Sequence, residues 1–153
     1  MRRPINRKHK TQPDPVYGSI LVSKLTHYIM EGGKKETARR VIYDVMETLK
    51  KDGDPVVVLE AAIKNIEPAM EVRSRRVGGA NYQVPMPVRP ERQLALALRW
   101  MRDAARNKKG TPMAQKLAAE ILAAKKGEGE AVAKRDNMHK MAEANKAFAH
   151  FAW

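Results

Sequence analysis

From residue 20 to residue 66, apolar side chains recur at intervals of three and four, the spacing that gathers them on one face of an α-helix. Leu21, Val22, Leu25, Tyr28 and Ile29 form the first such set, with Ser19 placed as its N-cap and Gly32-Gly33 as its stop. Ala38, Val41, Ile42, Val45, Met46 and Leu49 define a second helix that ends near Asp52-Gly53. Asp54-Pro55 supplies an N-cap and a first-turn proline to a third helix, carried by Leu59, Ala62, Ile63 and Ile66 and ended by Pro68.

The period then shortens to two. Tyr82, Val84, Met86 and Val88 alternate with Gln83, Pro85, Pro87 and Arg89, and the stretch from Val72 to Val77 precedes them across Gly78-Gly79-Ala80-Asn81. This pattern predicts a β-hairpin over residues 71–89. Proline at 85 and 87 removes two ladder donors on one side, so that strand has no further neighbour there. A two-stranded ribbon is marginal alone in water, so its base must lean on the helices while its glycine tip projects.

Helical spacing resumes after Pro90. In a fourth helix, residues 91–107, Leu94, Leu98, Met101 and Ala105 share one side, with Leu96 and Trp100 placed for a second neighbour. Thr111-Pro112 caps a fifth helix with Ala114, Leu117, Ala118, Ile121 and Leu122, broken at Gly127-Glu128-Gly129. A sixth runs from about Ala131 to Phe148, with Met138, Met141, Ala142 and Ala149 on one face, although Asn145 weakens that stripe. Residues 1–13 have no apolar period. The expected fold is mainly α: a six-helix domain over 14–153 with an inserted two-stranded β-hairpin arm, preceded by an extended basic N-terminal arm, 1–13.

Charge changes this picture from a fold to a partner. The 153 residues hold 30 Lys plus Arg against 17 Asp plus Glu, a net charge of +13. Residues 1–11, 71–92 and 99–110 carry 12 of those 13 excess charges. So concentrated a charge points to phosphate rather than to general solubility. With 43% apolar residues the chain can build a core, and with no cysteine it has no disulfide, thiolate metal site or cysteine nucleophile. No apolar run approaches a membrane span, and no apolar stretch follows the basic N-terminus as in a signal peptide. These features suit a soluble protein of a reducing compartment.

The candidate contacts follow from where the cations fall. Arg92, Arg99, Arg102 and Arg106 lie within about 80° on one flank of the fourth helix, at 100° per residue, with only Asp103 among them. Lys108 and Lys109 trail it. Arg2, Arg3, Arg7, Lys8 and Lys10 stud the arm, and Arg75 and Arg76 the hairpin. Tyr82 has two readings, stacking on a base or packing across the ribbon against Val77. Gly32-Gly33-Lys34-Lys35 lacks the earlier glycine, the hydroxyl residue and the preceding strand of a phosphate-binding loop, so Lys34 and Lys35 read as solvated or phosphate-contacting side chains. His9, His27, His139 and His150 show no metal-ligand spacing, and no nucleophile elbow or carboxylate cluster occurs. The expectation is a non-catalytic, cofactor-free nucleic-acid binder, and charge alone leaves RNA and duplex DNA open, the latter as an architectural protein with a helical core and β-arm.

The stretch Glu71-Val72-Arg73-Ser74-Arg75-Arg76-Val77-Gly78-Gly79-Ala80-Asn81-Tyr82-Gln83-Val84-Pro85 resembles the signature of the bacterial type of ribosomal protein seven of the small subunit. Asp14-Pro15-Val16-Tyr17, Gly33-Lys34-Lys35, Leu96-Ala97-Leu98-Arg99-Trp100 and the segment Met141 to His150 match the same family, in its order. The resemblance implies a primary binder of small-subunit ribosomal RNA that nucleates assembly of the subunit's head, in the cytoplasmic ribosome. It implies a position near the exit-site transfer RNA and the messenger, beside neighbouring small-subunit proteins nine and eleven. The hairpin tip, with Gly78, Gly79, Ala80, Asn81, Tyr82 and Gln83, would reach toward the exit site, while the arm and the fourth-helix arginines would hold ribosomal RNA.

Overall fold

The computed structural model describes residues 11–151. The chain enters it through a turn that a single carboxylate organises. Asp14 is buried and accepts from the amides of Val16 (3.1 Å) and Tyr17 (3.3 Å) and from the Tyr43 hydroxyl (3.1 Å). Desolvation, with the hydrogen bond to Asp14, raises the Tyr43 phenol above its ordinary pKa. Gly18, at φ +62°, closes the turn by donating to the Asp14 carbonyl.

Six α-helices follow the expected order: α1 (Ile20–Ile29), α2 (Lys35–Leu49), α3 (Pro55–Ile66), α4 (Pro90–Asn107), α5 (Met113–Lys125) and α6 (Glu130–Ala144). Ser19 caps α1 by accepting from Leu21, and Asp54 caps α3 by accepting from Val56 at 2.9 Å, with Pro55 in the first turn as the sequence implies. The apolar faces meet in one cluster drawn from all six helices, including Val22 and Leu25, Ile42 and Met46, Leu59 and Ile66, Leu98 and Met101, Leu117 and Ile121, and Val132.

Between α3 and α4, strands β1 (Met70–Val77) and β2 (Ala80–Pro87) pair antiparallel, with Val77 opposite Ala80. The turn is thus the two residues Gly78-Gly79, at φ +58° and +91°, values that glycine adopts without strain. Both prolines of β2 lie in a strand with no second neighbour among the described residues, as their missing donors require. At the base, Val84, Pro85 and Val88 are buried, α6 packs along β1, and His139 Nε2 accepts from the Ala69 amide at 3.0 Å.

Several expectations need correction. α1 stops at Ile29, ahead of Gly32-Gly33, because Met30 turns extended at ψ 138°. Thr111 caps nothing: Pro112 occupies the cap position of α5 and no side chain bonds there. The α4 core face is broader than expected, with Ala97 and Ala104 fully buried, Leu94 only half-buried, and Trp100 on the main core rather than on a second neighbour. α6 ends at Ala144, short of Phe148: the Asn145 side-chain amide turns back to the Met141 carbonyl at 2.8 Å, and the Phe148 amide then bonds the Asn145 carbonyl, three residues back in 3₁₀ fashion, at 2.9 Å. Residues 146–151 continue as a 3₁₀ turn, which leaves Met141 and Ala149 exposed.

Candidate nucleic-acid interface

The described cations divide by what their side chains meet. On the α4 flank, Arg99 is exposed and has no hydrogen bond or ion pair among the described residues. Arg102 pairs with its neighbour Asp103 at 2.6 Å. Arg106, two turns beyond Arg99, donates to the Ile29 carbonyl (3.2 Å) and pairs with Glu31 (2.8 Å), so it ties the end of α4 to the end of α1. Lys108 spends its ammonium group on Glu120.

Glu120 is the fully buried centre of that corner. Its other carboxylate oxygen accepts from the Ala131 amide at 3.0 Å, so a side chain of α5 caps the first turn of α6. The approach is close enough that a Cβ at Gly129, where φ is +103°, would lie 2.8 Å from Glu120 Oε1. Glycine is needed there on both counts.

Arg92 reaches from α4 to the hairpin, pairing with Glu71 at 2.7 Å, and Arg73 pairs with the same carboxylate at 2.7 Å. Desolvation pushes the buried Glu71 carboxyl up, but hydrogen bonds from Arg92 and Arg73 outweigh it and hold the group below the usual carboxylate range. The pair joins the base of β1 to the first turn of α4. Arg75 is engaged with the Phe151 carbonyl, while Arg76 is exposed and unpaired among the described residues.

Tyr82 is half-buried and lies across the ladder from Arg75. Its ring lies 5.2 Å from that of Phe148 and 5.1 Å from that of Phe151, centroid to centroid. Gly78, Gly79, Ala80, Asn81 and Gln83 stay exposed.

Lys34 and Lys35 stand exposed at the amino end of α2, and Lys109 is exposed beyond α4, all three without partners among the described residues. Lys34 lines a groove of about 530 Å³ with Arg106. Lys35 lines another, about 590 Å³, with Arg39, His27 and residues 11–15. Thr11 and His27 also line a third, about 250 Å³, against Glu91, Leu94, Ala95 and Leu98 of α4. Ala95 falls inside the arc spanned by the α4 arginines. Residue 11 therefore sits between Lys35 of α2 and the arginine flank of α4. Sequence reasoning missed Arg39 and His27 as lining groups. Arg39 stands one helical turn after Lys35, which could have marked it.

Arg2, Arg3, Arg7, Lys8 and Lys10 lie outside the described residues. Among the described residues no three His, Asp or Glu side chains are grouped to hold a metal ion, and no helix is long and apolar enough to cross a membrane.

Residues 1–146 match the family model described as Ribosomal protein S7p/S5e. Small ribosomal subunit protein uS7 of Dictyoglomus thermophilum is 57% identical over 143 residues, covering 92% of each chain. The uS7 proteins of Paracidovorax citrulli, 52% identical over 147 residues with 94% of each chain covered, and of Rhodopirellula baltica, 57% identical over 144 residues with 92% covered, are similar at the same level. Matches of this length leave the architectural duplex-DNA reading without support: the chain belongs to the ribosomal protein S7p/S5e family.

Proposed function

We propose that this protein is a non-catalytic structural constituent of the small ribosomal subunit, binding ribosomal RNA by charge neutralisation around a rigid helical body. The observation that carries the reading is the convergence just described. Two basic elements far apart in sequence, the start of α2 and the flank of α4, lie on either side of residue 11, the residue next to the basic stretch 1–10. Arg99, Lys34, Lys35 and Lys109 present cations on the helical body that no protein group neutralises among the described residues, and Arg76 does so on the hairpin. Unpaired, exposed cations can release counterions on meeting phosphate without breaking an internal bond. Arg92, Arg102, Arg106 and Lys108 hold internal partners and add chiefly to the field that steers RNA to the surface.

Family resemblance supports the finer assignments. The protein would bind the RNA early and nucleate assembly of the head, with the tip residues Gly78 to Gln83 near the exit-site transfer RNA and messenger. Small-subunit proteins nine and eleven would be its neighbours, in the cytoplasmic ribosome. A competition between a small-subunit ribosomal RNA junction and duplex DNA of equal length, in moderate salt, tests the class of partner. The RNA should win, and equal affinity would refute the reading. Footprinting on assembled subunits tests the placement, with protection expected beside the arm and α4 flank.

A further inference from the structure

A lone ribbon of two strands should waver about its base, because its tip has no sheet to stiffen it. In this molecule the outer half of the hairpin is gripped from one side. The 3₁₀ turn at residues 146–151 packs along β2 and brings Phe148 and Phe151 against the Tyr82 ring. Arg75, directly across the ladder from Tyr82, donates to the Phe151 carbonyl. One cross-strand pair is thus held at its aromatic member by two rings and at its basic member by the main chain. The turn can reach that pair because α6 ends at Ala144, where a continued helix would have carried the phenylalanines along its own axis.

We propose that Phe148 and Phe151 are positioning residues for the hairpin: they clasp Tyr82 and fix the direction in which the Gly78-Gly79 tip projects from the helical body. Tyr82 then serves the tip as its anchor. A base would have to displace Phe148 and Phe151 to stack on it, so nucleic-acid contact falls to the exposed Asn81, Gln83 and Arg76. The use of the tip rests on the proposed RNA-binding role, whereas the clasp itself does not.

The chain has no cysteine, so Asn81→Cys at the tip and Glu47→Cys on α2 provide two unique spin-label sites. Label-to-label distances are measured on the free full-length protein without RNA, which separates failure of the clasp from failure of the functional reading. The otherwise unaltered protein should give one narrow distribution. Tyr82→Ala should broaden it, as should Phe148→Ala with Phe151→Ala, and Tyr82→Phe should restore the narrow one because the ring is kept. Amide exchange over residues 74–83 should accelerate roughly tenfold in the Tyr82→Ala protein while the α1–α5 core amides hold their protection. A narrow distribution in Tyr82→Ala, or a Tyr82→Phe protein as broad as Tyr82→Ala, would overturn the proposal. If loss of both phenylalanines unfolds α6, the Tyr82 variants alone decide it.

Discussion

Arg99 and Arg106 lie two turns apart on one flank of α4, and the sequence treats them alike. Their surroundings differ. Arg99 faces solvent with no protein acceptor among the described residues, whereas Arg106 closes the end of α1 through the Ile29 carbonyl and Glu31. Lys109 and Lys108, adjacent in the chain, divide in the same way, with Lys108 committed to the buried Glu120. A run of positive charge is therefore of two kinds. Part of it holds the body together, and part has no protein partner among the described residues. The division is set by acceptors that come from other elements, which is why charge counting alone cannot make it.

The sharpest way to separate the two kinds of cation is to remove Lys108. Lys108→Ala leaves the Glu120 carboxylate buried with only the Ala131 amide, and should cost about 1–3 kcal/mol of stability in a denaturant melt. Ribosomal RNA affinity, compared where both proteins are folded, should keep its dependence on salt. Arg106→Ala should cost less, about 0.5–1.5 kcal/mol, since its partners remain in reach of water. A loss below the error of the melt would move Arg106 into the same class as Arg99.

Acid provides a third test, on the Arg73–Glu71–Arg92 join. Because the native Glu71 carboxyl is held below its ordinary value, its contribution is fully present above the unfolded pKa and is lost as pH falls through the native one. Glu71→Gln should therefore be less stable at neutral pH and lose less between about pH 5 and about pH 3, giving a flatter acid limb. An unchanged limb would show that the two arginines do not hold Glu71 in its charged form.

Much of the architecture is legible in the residues. Asp54-Pro55 announces the start of α3, Gly78-Gly79 the hairpin turn, and the Ile42–Val45–Met46–Leu49 spacing the buried face of α2. The end of α6 is less so. Its apolar positions are sparse, only Ala131, Val132 and Ala142 are buried, and periodicity carries no mark of where Asn145 folds back. The candidate site was legible as charge but not as free charge. The Arg106 bond to Ile29 and the contact of Tyr82 with Phe148 each span more than sixty residues, and local pattern does not encode such partners. One signal did lie in the sequence. Glu120 stands among Leu117, Ile121 and Ala124 on the apolar face of α5, and a carboxylate there must find a buried partner. Lys108 is that partner.

The salt dependence of ribosomal RNA binding, compared between Arg99→Ala and Lys108→Ala, tests the division most directly. Arg99→Ala should lower the slope of log affinity against log salt by about one while changing stability by no more than about 0.5 kcal/mol. Lys108→Ala should destabilise the fold and leave that slope unchanged. A Lys108→Ala slope reduced as much as that of Arg99→Ala would contradict the account.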